Sequence, residues 1–156
     1  SLPRFSRTAG AALLQVSSDQ QLWVVCAHLH PGDVELRARE GTLLWERLQG
    51  LLPFCENAVV LGDFNCEVDE PVHGHLRDSG FVNAMAAAGG GLQLTMDTAD
   101  IHDWKIDHIY LSSGLGSRLT SAAIIRDVGF RTDPPRPEGA WDHSDHLPVQ
   151  ADLDWP

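Results

Sequence analysis

Two apolar runs near the start of the chain predict a pair of β-strands. The first run is AALLQVS (11–17), the second is QLWVVCAHL (21–29), and a short polar turn around Ser18 and Asp19 joins them. The second run is almost continuously apolar, which is typical of a strand that is buried on both faces. The sequence therefore predicts a hairpin whose second strand is covered on both sides.

The apolar positions then change to the spacing of a helix between Asp33 and Gly50. Asp33 is placed to cap the start of this helix, and Gly50 is placed to end it. The apolar stripe of the helix consists of Val34, Leu36, Leu43, Leu44 and Leu48. A third strand is predicted in NAVVLGDFN (57–65), and Pro71 is placed to open a short helix that ends at Gly80.

The later part of the chain is richer in strands than in helices. A short segment, FVNAMAAAGGG (81–91), ends in three glycines, and the turn SGLG joins predicted strands over 104–113 and 118–128. A Pro-rich loop over 130–145 leads into a last strand over 147–155. Since no internal repeat and no linker interrupts this order, the pattern favours one layered α/β domain over the whole chain.

Composition and charge fit a folded domain with an acidic surface. The 156 residues are 43% hydrophobic and 21% charged, which is ordinary for a globular protein. The 11 basic and 22 acidic residues give a net charge of −11. A broad phosphate-binding surface is therefore not expected, whereas a phosphate substrate stays possible because a bound divalent cation reverses the local field.

Cysteine usage and the first residues favour a soluble protein in a reducing compartment. Cys26, Cys55 and Cys66 are odd in number, far apart and not in a CxxC pattern, so we expect free thiols rather than disulfides or a zinc ribbon. No apolar run approaches the roughly 18 residues of a membrane span. The start lacks both an initiator Met and the apolar core of a signal peptide, so we expect a processed or excised piece of a longer chain.

Polar residues recur where an apolar strand ends. Strand ends at one edge of a sheet bring such side chains together, and an acid in or beside a buried strand is costly unless it is paired or binds a metal. Carboxylates, an amide oxygen and imidazoles suit a hard divalent cation and an activated water. A histidine beside a carboxylate can act as a general base or stabilise charge on a phosphoryl oxygen. The residues concerned are His28, Asp63, Asn65, Asp107, Asp145 and His146.

Each of these residues also has a purely structural interpretation. Asp63 and Asn65 are common turn formers, and Asp107 could be a partly buried acid that accepts hydrogen bonds from backbone amides. His28 and His146 could be histidines of the core with satisfied ring nitrogens. The catalytic interpretation is favoured because all of these positions occur together and in one order.

Four motifs resemble the endonuclease/exonuclease/phosphatase superfamily. They are AHL (27–29), GDFN (62–65), KIDHIYLS (105–112) and SDHLPV (144–149), in the order in which that family carries them. The resemblance covers nearly the whole chain. It implies a DNase I-like four-layer α/β sandwich that hydrolyses phosphoesters with Mg²⁺ or Mn²⁺.

The resemblance also implies roles for the strand-end residues. His28 would contact the scissile phosphate, and Asp63 would orient or deprotonate the attacking water. Asn65 would hold phosphate or metal.

Near the end of the chain, the resemblance separates two Asp-His pairs. Asp145 would be a metal ligand, together with Asp63 and Asn65, and His146, steadied by Asp107, would stabilise the pentacovalent phosphorane. The pair Asp142-His143 falls in the preceding loop and is expected at the rim of the site.

The chain departs from the family pattern before His28. The family carries an earlier strand-borne Asn and a metal-binding Glu, and nothing before His28 supplies either. The chain therefore resembles the C-terminal half of the fold, and a complementary N-terminal segment is an expected partner. The alternatives to an active enzyme are a half-domain that needs this segment and a metal-binding remnant.

The substrate stays open among phosphoesters. The resemblance implies a nucleic acid, a nucleotide, or a phospholipid or inositol phosphate head group. The acidic charge and the lack of a basic stripe disfavour non-specific binding of duplex DNA.

Several other polar and aromatic residues are expected to have lesser roles. His73 and His75 have the HxH spacing of some metal ligands, but a solvated surface is favoured because no third ligand is near. Arg37 and Arg39 fall on the first predicted helix and are expected to form surface ion pairs. Trp104 and Trp141 are expected near the mouth of the site.

Overall fold

The structure is a computed structural model, and it describes residues 5–97, 103–126 and 144–155. Its helices are α1 (Val34–Leu51), α2 (Pro71–Asp78), α3 (Ala84–Ala88) and α4 (Ser113–Gly116). Its strands are β1 (Thr8–Gln15), β2 (Gln21–His28), β3 (Ala58–Asp63), β4 (Val82–Asn83), β5 (Met96–Asp97), β6 (Asp103–Trp104), β7 (Asp107–Leu111), β8 (Leu119–Ile124) and β9 (Val149–Leu153).

The main sheet has the strand order β1-β2-β3-β7-β4. The predicted hairpin of β1 and β2 is confirmed, and β2 pairs with β3 in parallel because α1 serves as the crossover between them. β7 returns antiparallel to β3. The carboxyl ends of β2 and β3 therefore lie beside the start of β7, at one edge of the sheet.

One predicted strand pairing is wrong. We expected SGLG to be the turn of a hairpin between β7 and β8, but these residues form the short helix α4, and β8 pairs with β9 in a separate two-stranded sheet. Burial explains the difference, because Leu115 in the middle of α4 is fully buried in the second of two hydrophobic clusters. A hairpin turn would have left this leucine in solvent.

Helix α1 forms where the spacing predicts it, but its buried face differs from the predicted stripe. The Asp33 carboxylate accepts a hydrogen bond from the Leu36 N–H at 3.0 Å, so the predicted cap is present. Val34 is 52% exposed, whereas Arg37 and Glu40 are buried on the inner face. The predicted surface ion pair of Arg37 is therefore wrong.

The two faces of the main sheet are covered unequally. One face packs on α1 and α2 through a cluster that includes Val25, Leu48 and Val60. The other face packs on α3, β8 and β9 over β3 and β7, and it leaves Cys26 of β2 exposed. The prediction that β2 is buried on both faces is therefore wrong. The expected free thiols are confirmed, and of the three cysteines Cys66 is the buried one.

Within the described ranges, none of the helices has the length and apolarity that a membrane crossing requires.

Candidate active site

Backbone register brings three of the predicted residues to one sheet edge. His28 lies opposite Asp63 in the β2–β3 pair, and Asp63 lies opposite Asp107 in the β3–β7 pair. The Nε2 atom of His28 is 3.5 Å from Oδ2 of Asp63. The His28 side chain is 45% exposed and that of Asp63 is 19% exposed. The imidazole therefore stays open to solvent while the carboxylate lies deeper in the sheet edge.

The second predicted pair, Asp107 and His146, is in direct contact. The distance from His146 Nδ1 to Asp107 Oδ2 is 2.9 Å, although 39 residues separate them along the chain. A hydrogen bond from Nδ1–H to the carboxylate fixes the ring orientation and leaves Nε2 on the side of the ring away from Asp107.

Thr95 holds both members of this pair in place, and the sequence reasoning missed it. Its Oγ1 accepts the Asp107 N–H at 3.1 Å, and its carbonyl accepts the Leu147 N–H at 2.6 Å. Met96 and His146 also form an isolated antiparallel bridge. A single buried threonine in a Gly-rich stretch carries no local signal of such a role, because the contacts arise only in the fold.

The surroundings raise the pKa values of both His146 and Asp63. The hydrogen bond with Asp107 raises the pKa of His146, with the charges of Asp107, Asp63 and Asp145 adding to it against desolvation. Burial raises the pKa of Asp63, and the nearby Asp107 charge adds to it. The Asn65 N–H hydrogen bond acts against this rise. The edge therefore favours bound positive charge, either a proton or a cation.

Asn65 locks the turn that follows β3. It has φ of 52°, a left-handed conformation that Asn adopts more readily than most residues. Its N–H donates to Asp63 Oδ1 at 2.8 Å, and its Nδ2 donates to Asp63 Oδ2 and to the Leu29 carbonyl, each at 3.0 Å. The turn thus ties Asp63 to the segment that follows His28.

Gly62 is required by the close approach of β2 to β3. Its φ is +131°, and an ideal Cβ at this position would lie 2.1 Å from the Ala27 carbonyl oxygen. No side chain fits there without moving the strand. The glycine of GDFN thus sets the strand spacing directly before Asp63.

A buried ion pair on α1 and the segment before α2 was also missed. Arg37 donates to both carboxylate oxygens of Glu70, at 2.9 and 2.6 Å, and to the His30 carbonyl at 2.7 Å. Glu40 accepts the His30 N–H at 2.8 Å. The two α1 side chains therefore clamp the peptide groups of the turn after His28. Arg39, in contrast, forms the predicted exposed pair, with Glu35 at 3.8 Å.

The predicted surface position of His73 is wrong. Its side chain is 1% exposed and contacts Tyr110 and Cys66, whereas His75 is partly exposed and lies 3.2 Å from Thr42 Oγ1. The HxH spacing therefore places these two rings on different sides of α2, and they do not form a joint metal site.

The remaining predicted residues lie around this centre or outside the described residues. Asp145 is exposed, and its charge reaches His146. Trp104 is partly exposed at the end of β6. The pair Asp142-His143 and Trp141 lie outside the described residues.

The described residues at this edge have the right donor types for a divalent cation but do not form a complete ligand set. Carboxylate and amide oxygens of Asp63, Asn65 and Asp145 are donors of the type that Mg²⁺ prefers. Both oxygens of Asp63, however, already accept hydrogen bonds from Asn65, and Asp107 is engaged by His146. In the part of the chain that the structure describes, no group of three or more His, Cys, Asp or Glu side chains is placed to hold a metal ion.

Comparison with known proteins identifies the fold. Neither a family model nor a curated protein matches this sequence. An endonuclease/exonuclease/phosphatase family protein from Bacteroides thetaiotaomicron superposes with a TM-score of 0.75 at 18% identity, over 93% of this chain and 55% of that one.

Two further solved structures carry the same fold. A 3′-5′ exonuclease from Neisseria meningitidis gives a TM-score of 0.67 at 18% identity, over 96% of this chain and 72% of that chain. A mannosyl-6-phosphatase from Bacteroides thetaiotaomicron gives 0.64 at 19% identity, over 86% and 51%. The chain spans between half and three quarters of the length of these three structures. Over that span it has the DNase I-like α/β fold of the endonuclease/exonuclease/phosphatase proteins.

Proposed function

We propose that this sheet edge hydrolyses a phosphoester bond by attack of water on phosphorus. The observation that carries the proposal is the meeting of two His-Asp pairs. His28 meets Asp63 across β2 and β3, and His146, from the segment before β9, meets Asp107 at the start of β7. Two imidazoles beside two carboxylates can bind a phosphoryl group and also handle the proton of an attacking water. The shared fold supports this class of chemistry, since the neighbours named above include an exonuclease and a phosphatase.

In this proposal the two histidines act on the phosphate group. Because hydrogen bonding to Asp107 raises the pKa of His146, the cationic ring is favoured, and its Nε2–H would donate to an oxygen on which negative charge develops. His28, more exposed, would contact the phosphate of the bound substrate.

Asp63 would orient or deprotonate the attacking water. A general base works best when its pKa lies near the working pH, and burial moves the pKa of Asp63 in that direction. Asn65 holds both carboxylate oxygens, so the side chain is fixed before a substrate arrives.

Mg²⁺ or Mn²⁺ is the proposed cofactor, with Asp145, Asp63 and Asn65 as the ligands from the described residues. When bound, the cation would neutralise charge on the phosphate and lower the pKa of water. Since these residues supply only part of a coordination shell, water and the substrate phosphate would complete it. Calorimetric titration of the chain with MgCl₂ and MnCl₂ tests this, and equal heats for wild type and Asp145→Ala would contradict the assignment.

The proposed substrates are phosphoesters in which one phosphate group is presented to this edge. A nucleic acid end, a nucleotide, and a phospholipid or inositol phosphate head group all meet this requirement. The net charge of −11 disfavours a long polyanion held along the surface. Substrates with one accessible phosphate are therefore preferred over continuous duplex.

A second candidate is a half-domain that needs a complementary N-terminal segment. Two observations favour it. On one face of the sheet, near β1 and β2, Cys26 is exposed and Leu14 is 46% exposed. The structural neighbours are also longer than this chain. A partner that covers this face would bury apolar surface now in contact with water. Binding of an apolar fluorescent dye tests this: we expect strong binding to the 156-residue chain and little to a form extended upstream.

The catalytic proposal is tested by His146→Ala and a matched control, His75→Ala. We expect the first variant to lower kcat by about 100-fold or more with little change in KM, because the ring acts on charge that develops in the transition state. The control, whose ring lies on α2, should retain wild-type values. A loss confined to KM would instead make His146 a group that binds the ground state.

A further inference from the structure

Two buried histidines converge on one carbonyl group beneath the turn that carries Asp63. The side chains of His73 and His108 are 1% and 3% exposed. Their Nε2 atoms lie 3.4 and 3.3 Å from the carbonyl oxygen of Cys66. The His73 ring comes from α2 and the His108 ring from β7, so two distant segments hold the same peptide group.

The polar neighbours of each ring match a proton on Nε2. The Tyr110 hydroxyl lies 2.8 Å from His73 Nδ1, and Asn83 Nδ2 lies 3.3 Å from His108 Nδ1. If Tyr110 and Asn83 donate, each ring accepts at Nδ1 and carries its proton at Nε2. Both rings then donate to the Cys66 oxygen, which has two lone pairs to receive them.

Burial keeps both rings neutral, as this pattern requires. Desolvation lowers the pKa of His73 to about 3, with the neighbouring His108 adding to it, and desolvation also lowers the pKa of His108. A neutral imidazole has one donor and one acceptor, so each ring can accept at Nδ1 and donate at Nε2. The Nε2 atom of His73 also lies 3.2 Å from Cys66 Sγ, so the whole Cys66 residue is held against this ring.

Aromatic packing immobilises the other side of the same turn. Phe64 is fully buried and stacks on His73 and Tyr110 at centroid distances of 5.4 and 6.0 Å. Its N–H donates to the Ile106 carbonyl at 2.8 Å. Asn65, with its left-handed backbone, is thus held between two anchored residues.

We infer that His73 and His108 are positioning residues, which hold the Cys66 carbonyl and thereby fix the turn that presents Asp63 and Asn65. The expected effect on turnover rests on the proposed function. The role in fixing the turn rests on the contacts alone. An apolar side chain would fill the same space in the core without the cost of burying a polar ring. The polar rings make hydrogen bonds that an apolar side chain cannot make, and the one that they share is to the Cys66 carbonyl.

The test replaces His73 with Phe, which keeps a stacked ring and removes every hydrogen bond of the imidazole nitrogens. We expect amide hydrogen exchange at Asn65 to rise by about tenfold or more, with a much smaller change at Val60 in β3, because the turn opens without unfolding the sheet. His75→Phe, the same change on the same helix, is the matched control. In an active preparation, kcat should fall while KM stays the same.

Two conservative variants separate positioning from general stability. His73→Gln places an amide near the position of Nε2 and should restore slow exchange at Asn65, whereas His73→Asn reaches only the Tyr110 side and should not. If His73→Phe fails to fold, Tyr110→Phe replaces it as the test. This variant removes the donor to Nδ1 and should raise exchange at Asn65 by a smaller factor, again with little change at Val60. Equal acceleration at Asn65 and Val60, or no acceleration, would overturn the inference. Absence of turnover in the wild type would instead count against the proposed function, and the exchange data would still decide the positioning role.

Discussion

Replacing Gly62 with Ala tests the geometry that sets the position of Asp63. The new Cβ would lie 2.1 Å from the Ala27 carbonyl oxygen, at a backbone φ of +131°. Because real Cβ contacts are longer than 3.0 Å, β2 and β3 would have to separate by about 1 Å at this point. The substitution adds one methyl group and changes no charge, so its effect reports on strand spacing.

The expected loss of stability follows from two contributions. An L-residue in this region of φ costs about 1–3 kcal/mol. Separation of the strands weakens neighbouring hydrogen bonds, including that from the Leu29 N–H to the Asp63 carbonyl at 3.0 Å. Each such bond contributes about 1 kcal/mol. We therefore expect Gly62→Ala to lower the free energy of unfolding by roughly 3–5 kcal/mol, and Tm by roughly 10 °C.

Urea denaturation followed by circular dichroism measures this loss. The control is Gly10→Ala in β1, where an ideal Cβ meets no atom within 4 Å, and its free energy of unfolding should stay within about 0.5 kcal/mol of wild type. A change of less than about 1 kcal/mol in Gly62→Ala would refute the argument, since β2 and β3 would then tolerate a side chain between them.

Three further results are expected. Asp107→Asn should lower the pKa of His146, read from its imidazole NMR signals. Because the pKa of His146 in the folded protein is raised above 6.5, protonated His146 stabilises the wild type below pH 6.5, and this stabilisation is lost as the pH rises through the folded pKa. In Asp107→Asn the free energy of unfolding should lack this dependence on pH. Arg37→Met should cost about 3–5 kcal/mol in urea denaturation because it leaves a partly buried carboxylate unpaired, and a near-neutral result would contradict the clamp. A thiol reagent at pH 8 should label exposed Cys26 quickly and native Cys66 very slowly, because burial raises the pKa of Cys66 to about 12; fast labelling of both would contradict its burial.

The strand ends and the meeting of site residues were predictable from local sequence. Asp63 and Asp107 each mark a boundary of an apolar run, and a sheet places such boundaries at a common edge. The order of the motifs, through their resemblance to the endonuclease/exonuclease/phosphatase superfamily, then related His28 and His146 to the same edge. Periodicity and turn residues carry this kind of information because it depends only on neighbours along the chain.

The parts that failed depend on contacts between distant segments. SGLG forms α4 because Leu115 is buried in the hydrophobic cluster formed by β3, β7, α3 and β8, and no local pattern records this burial. Arg37 and His73 look like surface residues by type, yet partners 33 and 37 residues away satisfy them in the core. Hydrophobic spacing therefore does not predict the burial of polar residues whose partners lie far away along the chain.

Turnover of a chromogenic phosphodiester tests the proposed hydrolase most directly. The measurement is release of p-nitrophenol from bis(p-nitrophenyl) phosphate by the 156-residue chain, with Mg²⁺ or Mn²⁺, with EDTA, and in Asp63→Ala. We expect turnover with the cation that EDTA abolishes and the variant lacks, while circular dichroism shows both proteins folded. A folded wild-type chain with no turnover under any of these conditions would contradict catalysis by these residues alone and favour the half-domain.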